Sequence, residues 1–336
     1  MKALVVCGDD FGGVLLAGPA VRAVAAQASP VTLMTGPRGA PAARLLPDVD
    51  DVLVWEAPWE GARPPAAADA DTDGVVRRVR EAAYDVALIL APDGMSPLPA
   101  ALLLRMAHVP RIGAAGDGPA GTLLDVHAPR PRDRHEARAA LDTAAALGFL
   151  PRTGDDGRLR VLPTPDTTAL TGNGPYVVVH PGAGAASRAW SPDRCAEAVA
   201  LLADAGHRVV VTGGPDETAL TRHVSGATAV DLGGRTDPRH LAGVLRAADA
   251  FVGGDTGVAH LAAATGTPVV SLFAPVFPAE RWAPYGVPSV LLGDQKAACA
   301  GTGARHCPVP GHPCLNEVTP QDVVSAVHKL LRADDA

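Results

Sequence analysis

The chain has 336 residues and a mass of 34.1 kDa, with 47% hydrophobic and 19% charged residues. That composition excludes a disordered tail or a mini-protein and leaves room for two cores of about 150 residues each. Its 29 basic residues face 36 acidic ones, and the balance is shared, with 17 against 20 in residues 1–160 and 12 against 16 in 161–336, so bulk charge speaks against nucleic-acid binding.

The opening apolar run, residues 3–7, is cut off by Asp9 and Asp10 too early for a signal peptide, and no 18-residue apolar stretch follows. A cytoplasmic protein without a transmembrane segment is expected. Of the five cysteines, Cys7 and Cys195 stand apart while Cys299, Cys307 and Cys314 are close together, and the odd number argues against a disulfide framework.

Short Val/Leu/Ile runs alternate with Ala/Leu/Arg stretches at helical spacing, the pattern of repeated strand-helix units on parallel sheets. In the first half, strands are predicted at 3–7, 31–34, 52–55 and 86–90, and helices at 19–27, 72–83, 97–107 and 135–148. Asp69, Asp71 and Asp73 lie before the second of these helices in an Ala/Pro-rich stretch and read as a solvated loop rather than a metal-binding cluster. Prolines and glycines crowd residues 151–175, which predicts a linker and a division into domains 1–160 and 161–336. The second half predicts strands at 176–180, 208–212, 229–232, 250–253, 269–273 and 289–292. Its helices are predicted at 192–205, 215–225, 238–247, 257–265 and 320–332, and the last of these is free to pack back on the first domain. The expected fold is α/β, with two doubly wound domains whose strand ends face a common cleft.

Two motifs at predicted strand ends carry candidate chemistry. In Val178-Val179-His180-Pro181-Gly182-Ala183-Gly184, a buried strand runs into a small-residue loop, with Arg188 and the helix start Trp190-Ser191-Pro192 behind it. Backbone N–H groups around Gly182 and Gly184 can close on an anion, and Arg188 offers a permanent forked cation for a phosphate. The same residues also read as an ordinary strand-to-helix turn with a surface arginine. In Gly253-Gly254-Asp255-Thr256-Gly257-Val258-Ala259-His260, a strand ends in glycines, Asp255 or Thr256 can cap a helix, and His260 falls one turn further on. The amides of Thr256, Gly257 and Val258 would make an anion site to which His260 can donate. Alternatively, Asp255 only caps and His260 is a satisfied core histidine.

These motifs, with Thr212-Gly213-Gly214-Pro215, Gly266-Thr267-Pro268, Trp282-Ala283-Pro284-Tyr285-Gly286 and the opening Gly12-Gly13-Val14-Leu15-Leu16-Ala17-Gly18-Pro19, resemble those of the family 9 glycosyltransferases, the ADP-heptose:lipopolysaccharide heptosyltransferases and their relatives. The resemblance covers most of the chain. It implies a GT-B fold of two Rossmann-like domains, with acceptor on the first and donor on the second. It also implies inverting transfer of heptose or a related sugar from an ADP-sugar to an acceptor hydroxyl, with no catalytic metal and no cofactor beyond the donor substrate. The acceptor would be lipopolysaccharide-core-like, reached by peripheral membrane contact, or a specialised natural product. Carried over by motif, His180, Gly182, Ala183, Gly213, Gly214, Asp255, Thr256, Gly257, Val258 and His260 would bind the donor. Arg188 would assist catalysis where many relatives have lysine, and Gly12, Gly13 and Arg132 would meet the acceptor.

One departure matters: the family opening usually reads Gly-Asp, its aspartate being the supposed general base, where this chain has Gly12-Gly13. Asp10 or Asp9 could serve instead, the acceptor or another residue could supply the function, or activity could be lost to leave a nucleotide-sugar binding protein. An epimerase or hydrolase on a similar frame is a further alternative. Cys299, Cys307 and Cys314, interleaved with His306 and His312, have the ligand types for zinc but no Cys-x2-Cys pair, so structural thiols are the plainer reading. The run Pro129-Arg130-Pro131-Arg132 reads as a basic loop that either meets an anionic acceptor or is merely solvated.

Overall fold

The computed structural model describes residues 1–334 apart from 9, 61–63, 92–93 and 118. Asp9, one of the candidate bases, lies outside the described residues. The chain divides into two compact units, Met1–Leu162 and Pro163–Ala336. In the first, β1 (Ala3–Val6), β2 (Val31–Thr35), β3 (Asp51–Val54), β4 (Val86–Ile89), β5 (Arg111–Ala115) and β6 (Val126–Ala128) form one parallel sheet in the order β3-β2-β1-β4-β5-β6.

The second unit repeats the plan. Its strands β7 (Val177–His180), β8 (Val209–Val211), β9 (Val230–Asp231), β10 (Ala250–Gly254), β11 (Val269–Leu272) and β12 (Ser289–Leu292) run parallel in the order β12-β11-β10-β7-β8-β9. The inner strands β1, β2, β4, β7, β8, β10 and β11 are buried along their whole length, which is why they read as unbroken apolar runs rather than alternating ones. Each sheet reverses its winding once, between β1 and β4 and between β7 and β10. At such a switch point the loops leaving two neighbouring strands diverge and open a ligand crevice.

Two strands were not anticipated. β5 (Arg111-Ile112-Gly113-Ala114-Ala115) and the edge strand β6 hold few branched residues, and pairing with β4 rather than local propensity makes them strands.

The first helix is also displaced from its predicted start at 19: it spans Phe11–Ala25, with Pro19 inside. Its cap is Asp10, whose carboxylate accepts from the Gly12 amide at 3.1 Å and the Gly13 amide at 3.5 Å. Gly18, before the proline, lacks the β-carbon that would crowd the proline ring, and the helix is otherwise almost wholly buried. In the acidic run, Asp71 caps Thr72–Ala82 through the Gly74 amide at 3.1 Å.

The predicted linker is docked rather than loose. Arg22 donates through Nε and Nη2 to Asp155 at 2.8 and 2.9 Å and to the Arg158 carbonyl at 2.8 Å, and the Leu162 amide donates to the Leu45 carbonyl at 2.8 Å. Beyond the boundary, the Pro165 carbonyl lies close enough to Gly243 that a β-carbon there would crowd it, and the Tyr176 hydroxyl donates to the Val244 carbonyl at 2.7 Å. Glycine and proline forbid one long element here, but burial still demands partners for the backbone.

The carboxy-terminal helix Pro320–Asp334 packs within its own unit. Its Val323, Val324, Val327 and Leu330 join the second unit's core with Val199, Leu202, Val252 and Leu272. Among the described residues no helix is long and apolar enough to cross a membrane.

Candidate nucleotide-sugar site

The second unit's switch point gathers the two sequence motifs. β7 ends at His180 beside Gly253 of β10, and the loops that leave them carry Gly182, Arg188, Asp255 and Thr256. A pocket of about 360 Å³ opens there, lined by His180, Pro181, Arg188, Trp190, Gly253 and Gly254 among others.

Arg188 closes a short 3-10 turn, Ala186–Arg188, and its Nη1 lies 3.3 Å from Asp255 Oδ2. The side chains keep 20% and 7% of their exposure, so this is a largely desolvated ion pair with one guanidinium edge left toward the pocket. The guanidinium also stacks over Phe277 at 5.9 Å. A carboxylate only accepts hydrogen bonds and repels phosphate, so Asp255, expected at the donor site, can act there by aiming the Arg188 cation beside it.

Thr256, with extended backbone, caps Gly257–Thr265, and its own hydroxyl does not bond back to the helix. The amides of Gly257 and Val258 therefore head this nine-residue helix with no intrahelical acceptor, and the helix dipole adds to them. His260 is buried in the fourth helical position. Arg188 Nε and Thr256 Oγ1 are buried without a protein partner, as is Ser271 Oγ, which sits in register beside Gly253. Of these three residues Arg188 lines the pocket, and its unsatisfied Nε is what a polar ligand there would satisfy.

Close approach explains the glycines. A β-carbon at Gly254 would come within 3.0 Å of the Arg188 carbonyl. Gly254→Ala is therefore expected to push the Arg188 loop away, lowering stability by about 1–2 kcal/mol and weakening nucleotide binding; thermal denaturation with and without nucleotide checks both.

At Gly182 the neighbour is Glu217, whose carboxylate packs against the glycine α-carbon and accepts from the Gly214 amide at 2.7 Å. Gly213 is crowded by Thr221 and Glu217 in the same way. Glu217 went unnoticed in the sequence; its position three residues after Gly214, at the head of a helical turn, is a capping signal. His180 lies behind this loop, its Nδ1 3.1 Å from Thr212 Oγ1. Burial lowers its pKa against the opposing charge of Glu217, so the imidazole is neutral near pH 7 and serves as scaffold.

The cysteine segment braces the Arg188 turn from behind. The Ser187 amide donates to the Arg305 carbonyl at 3.1 Å, its hydroxyl to the Ala304 carbonyl at 2.6 Å, and His312 Nε2 donates to the Ser187 carbonyl at 3.0 Å. Cys299 and Cys314 are buried, and burial together with the adjacent Cys299 and Cys307 pushes the Cys314 thiol up to about 12. Among the described residues no group of three or more His, Cys, Asp or Glu side chains is placed to hold a metal ion.

In the first unit Gly12 and Gly13 lie in the first turn of their helix, bound to the Asp10 carboxylate. Arg132 keeps 90% of its side-chain exposure, 3.9 Å from the exposed Asp117. Its neighbour Arg130 is occupied with the Ala91 carbonyl and Glu136, both at 2.5 Å.

Two parallel doubly wound units, each with a single switch point, define a GT-B fold. More narrowly, the chain belongs to glycosyltransferase family 9 (heptosyltransferase), whose family model matches residues 74–310. It is 29% identical over 170 residues to lipopolysaccharide heptosyltransferase 3 of Escherichia coli K12, a match that spans 47% of each chain, about half of that relative's length. In fold it is similar to a family 9 glycosyltransferase from Veillonella parvula DSM 2008 (TM-score 0.78, 17% identity, 99% of this chain and 97% of that one). It is likewise similar to E. coli ADP-heptose lps heptosyltransferase II (TM-score 0.76, 20% identity, 100% of each).

Proposed function

We propose that this chain is an inverting glycosyltransferase that moves heptose, or a related sugar, from an ADP-sugar to a hydroxyl of a lipopolysaccharide-core-type acceptor. The observation that carries the reading is the Arg188–Asp255 pair set against the head of the helix Gly257–Thr265. When the glycosidic C1–O bond breaks, negative charge builds on the departing diphosphate. Arg188 and the Gly257 and Val258 amides are already oriented to receive it, so little reorganisation is needed as the charge develops. Arg188 supplies charge neutralisation that a divalent ion can supply in other transferases. Glu217, on the other side of Gly182, offers two acceptor oxygens suited to a ribose diol. Transfer of a glycosyl group changes no oxidation state, so the donor is the one small molecule besides the acceptor that the reaction calls for. The reading places the enzyme in the cytoplasm, touching the membrane surface that carries its acceptor.

The homology names heptosyltransferases that act on lipopolysaccharide, and the second unit's site supports a diphosphate-bearing donor. The test is a thermal-shift panel with ADP, UDP, GDP and TDP near 1 mM. A ligand at 100 times its dissociation constant stabilises by about 2.7 kcal/mol, which raises the melting temperature by several degrees. A shift with ADP alone supports the proposal, a preference for UDP or GDP rejects the ADP-sugar donor, and no shift with any of them removes the nucleotide site.

A further inference from the structure

The first sheet has its own switch-point pocket, which neither sequence motif reached. Between the ends of β1 and β4 lies a space of about 270 Å³ bounded by Gly8, Trp59, Glu60, Met95, Ser96 and Pro97. Glu60 supplies its carboxylate. That group packs directly against the α-carbon of Gly8, where any β-carbon would overlap it.

The placement of Glu60 is over-determined. Its amide donates to the Ala57 carbonyl at 3.2 Å, and the Trp59 side chain hydrogen-bonds its carboxylate. Trp59 stands edge-on to Trp55 with ring centroids 5.4 Å apart, and Trp55 Nε1 donates to the Ala70 carbonyl at 3.3 Å. Burial raises the Glu60 pKa above the ordinary glutamate value, and the Trp59 hydrogen bond only partly offsets this. A carboxylate so shifted is a stronger base than a solvated one.

Among the described residues, the two candidates at the head of the first helix are differently engaged. Gly13 has no side chain, and Asp10 accepts from the two amides that open its helix. We propose that Glu60, held over Gly8 at the first sheet's switch point, is the general base that activates the acceptor hydroxyl. This rests on the transferase reading above and names the residue that replaces the carboxylate missing at position 13.

In the step, the acceptor O–H proton passes to Glu60 and the oxygen's electron pair forms the new bond to the sugar C1. The bond from C1 to the β-phosphate oxygen breaks, its pair leaving with ADP. Glu60 then returns the proton to water, so the products are glycoside, ADP and one proton.

The test uses the full chain with ADP-heptose as donor and heptose-free lipopolysaccharide from a deep-rough bacterial strain as acceptor, and follows ADP release against pH. Glu60→Gln is expected to keep the wild-type melting temperature and ADP affinity but to lower kcat by about 10²–10⁴-fold. It should also abolish the acidic limb of the wild-type profile. Glu60→Asp, which keeps the charge but withdraws it from the pocket, is expected to lose at least about tenfold in kcat and retain the limb; it decides the matter if Glu60→Gln proves unstable. Wild-type kcat in either variant, or an acidic limb removed by Asp10→Asn instead, overturns the assignment. Absence of turnover by the wild-type chain with this pair overturns the transferase reading itself and this inference with it.

Discussion

Replacing Arg188 by alanine is expected to lower turnover by about 10²–10³-fold, the usual cost of removing one preorganised group that stabilises transition-state charge. Donor affinity should fall by less, because the charge on the diphosphate grows as the bond to sugar breaks and Arg188 is worth most at that moment. The pair geometry adds a sharper expectation. Arg188→Ala removes the cation that faces the Asp255 carboxylate, which keeps 7% of its side-chain exposure, and leaves that negative charge beside the proposed anion site. The double variant Arg188→Ala/Asp255→Ala should therefore bind ADP more tightly than Arg188→Ala alone. Calorimetry of the wild type, both single variants and the double variant measures the coupling, and equal ADP affinity in Arg188→Ala and the double variant would argue that Asp255 does not act through Arg188. Arg188→Lys keeps the charge but not the fork, and should recover part of the lost turnover.

The second large effect concerns folding. Arg22 and Asp155 form a bidentate pair with 6% and 11% side-chain exposure, and the Gly157 amide adds a further bond to Asp155 at 2.9 Å. Hydrogen bonding from Arg22 outweighs desolvation and holds the Asp155 carboxyl down at about 2. Removing the arginine strands a buried carboxylate, so Arg22→Ala is expected to cost about 3–5 kcal/mol. In a unit of this size that is a drop of roughly 6–20 °C in melting temperature.

The sign with pH follows from the lowered pKa. Asp155 binds its proton less readily folded than unfolded, so its contribution is complete above the unfolded value of 3.8 and fades as pH falls toward 2. The shift corresponds to about 2 kcal/mol. Melting curves of the wild type and Arg22→Ala should therefore converge as pH is lowered from 7 to 3, and a gap that stays constant would show that the charge pair is not its source.

Much of the chain was legible because burial on both faces of a parallel sheet imposes continuous apolar runs. β1, β2, β4 and β7 through β11 were all predicted within a residue or so of their ends. The loops after β7 and β10 were legible for a related reason: glycines where a backbone must approach closely, followed by a helix start, leave a local trace. Pro19 misled, because proline is a strong signal of a helix start on its own but is tolerated deep inside a helix whose cap, Asp10, lies nine residues earlier. β5 and β6 were missed because their strand character comes from pairing.

The sequence alone determined the two repeated strand-helix units, the breaks around residues 151–175 and the residue types available at each strand end, since these depend on periodicity, backbone conformation and side-chain chemistry within a few positions. Tertiary structure alone decided who meets whom. Arg188 and Asp255 are 67 residues apart, Arg22 and Asp155 are 133 apart, and Glu60 reaches Gly8 across the sheet. Ion pairing and desolvation depend on distances of a few ångströms through space, and the winding order of the sheets, which no local pattern encodes, sets those distances.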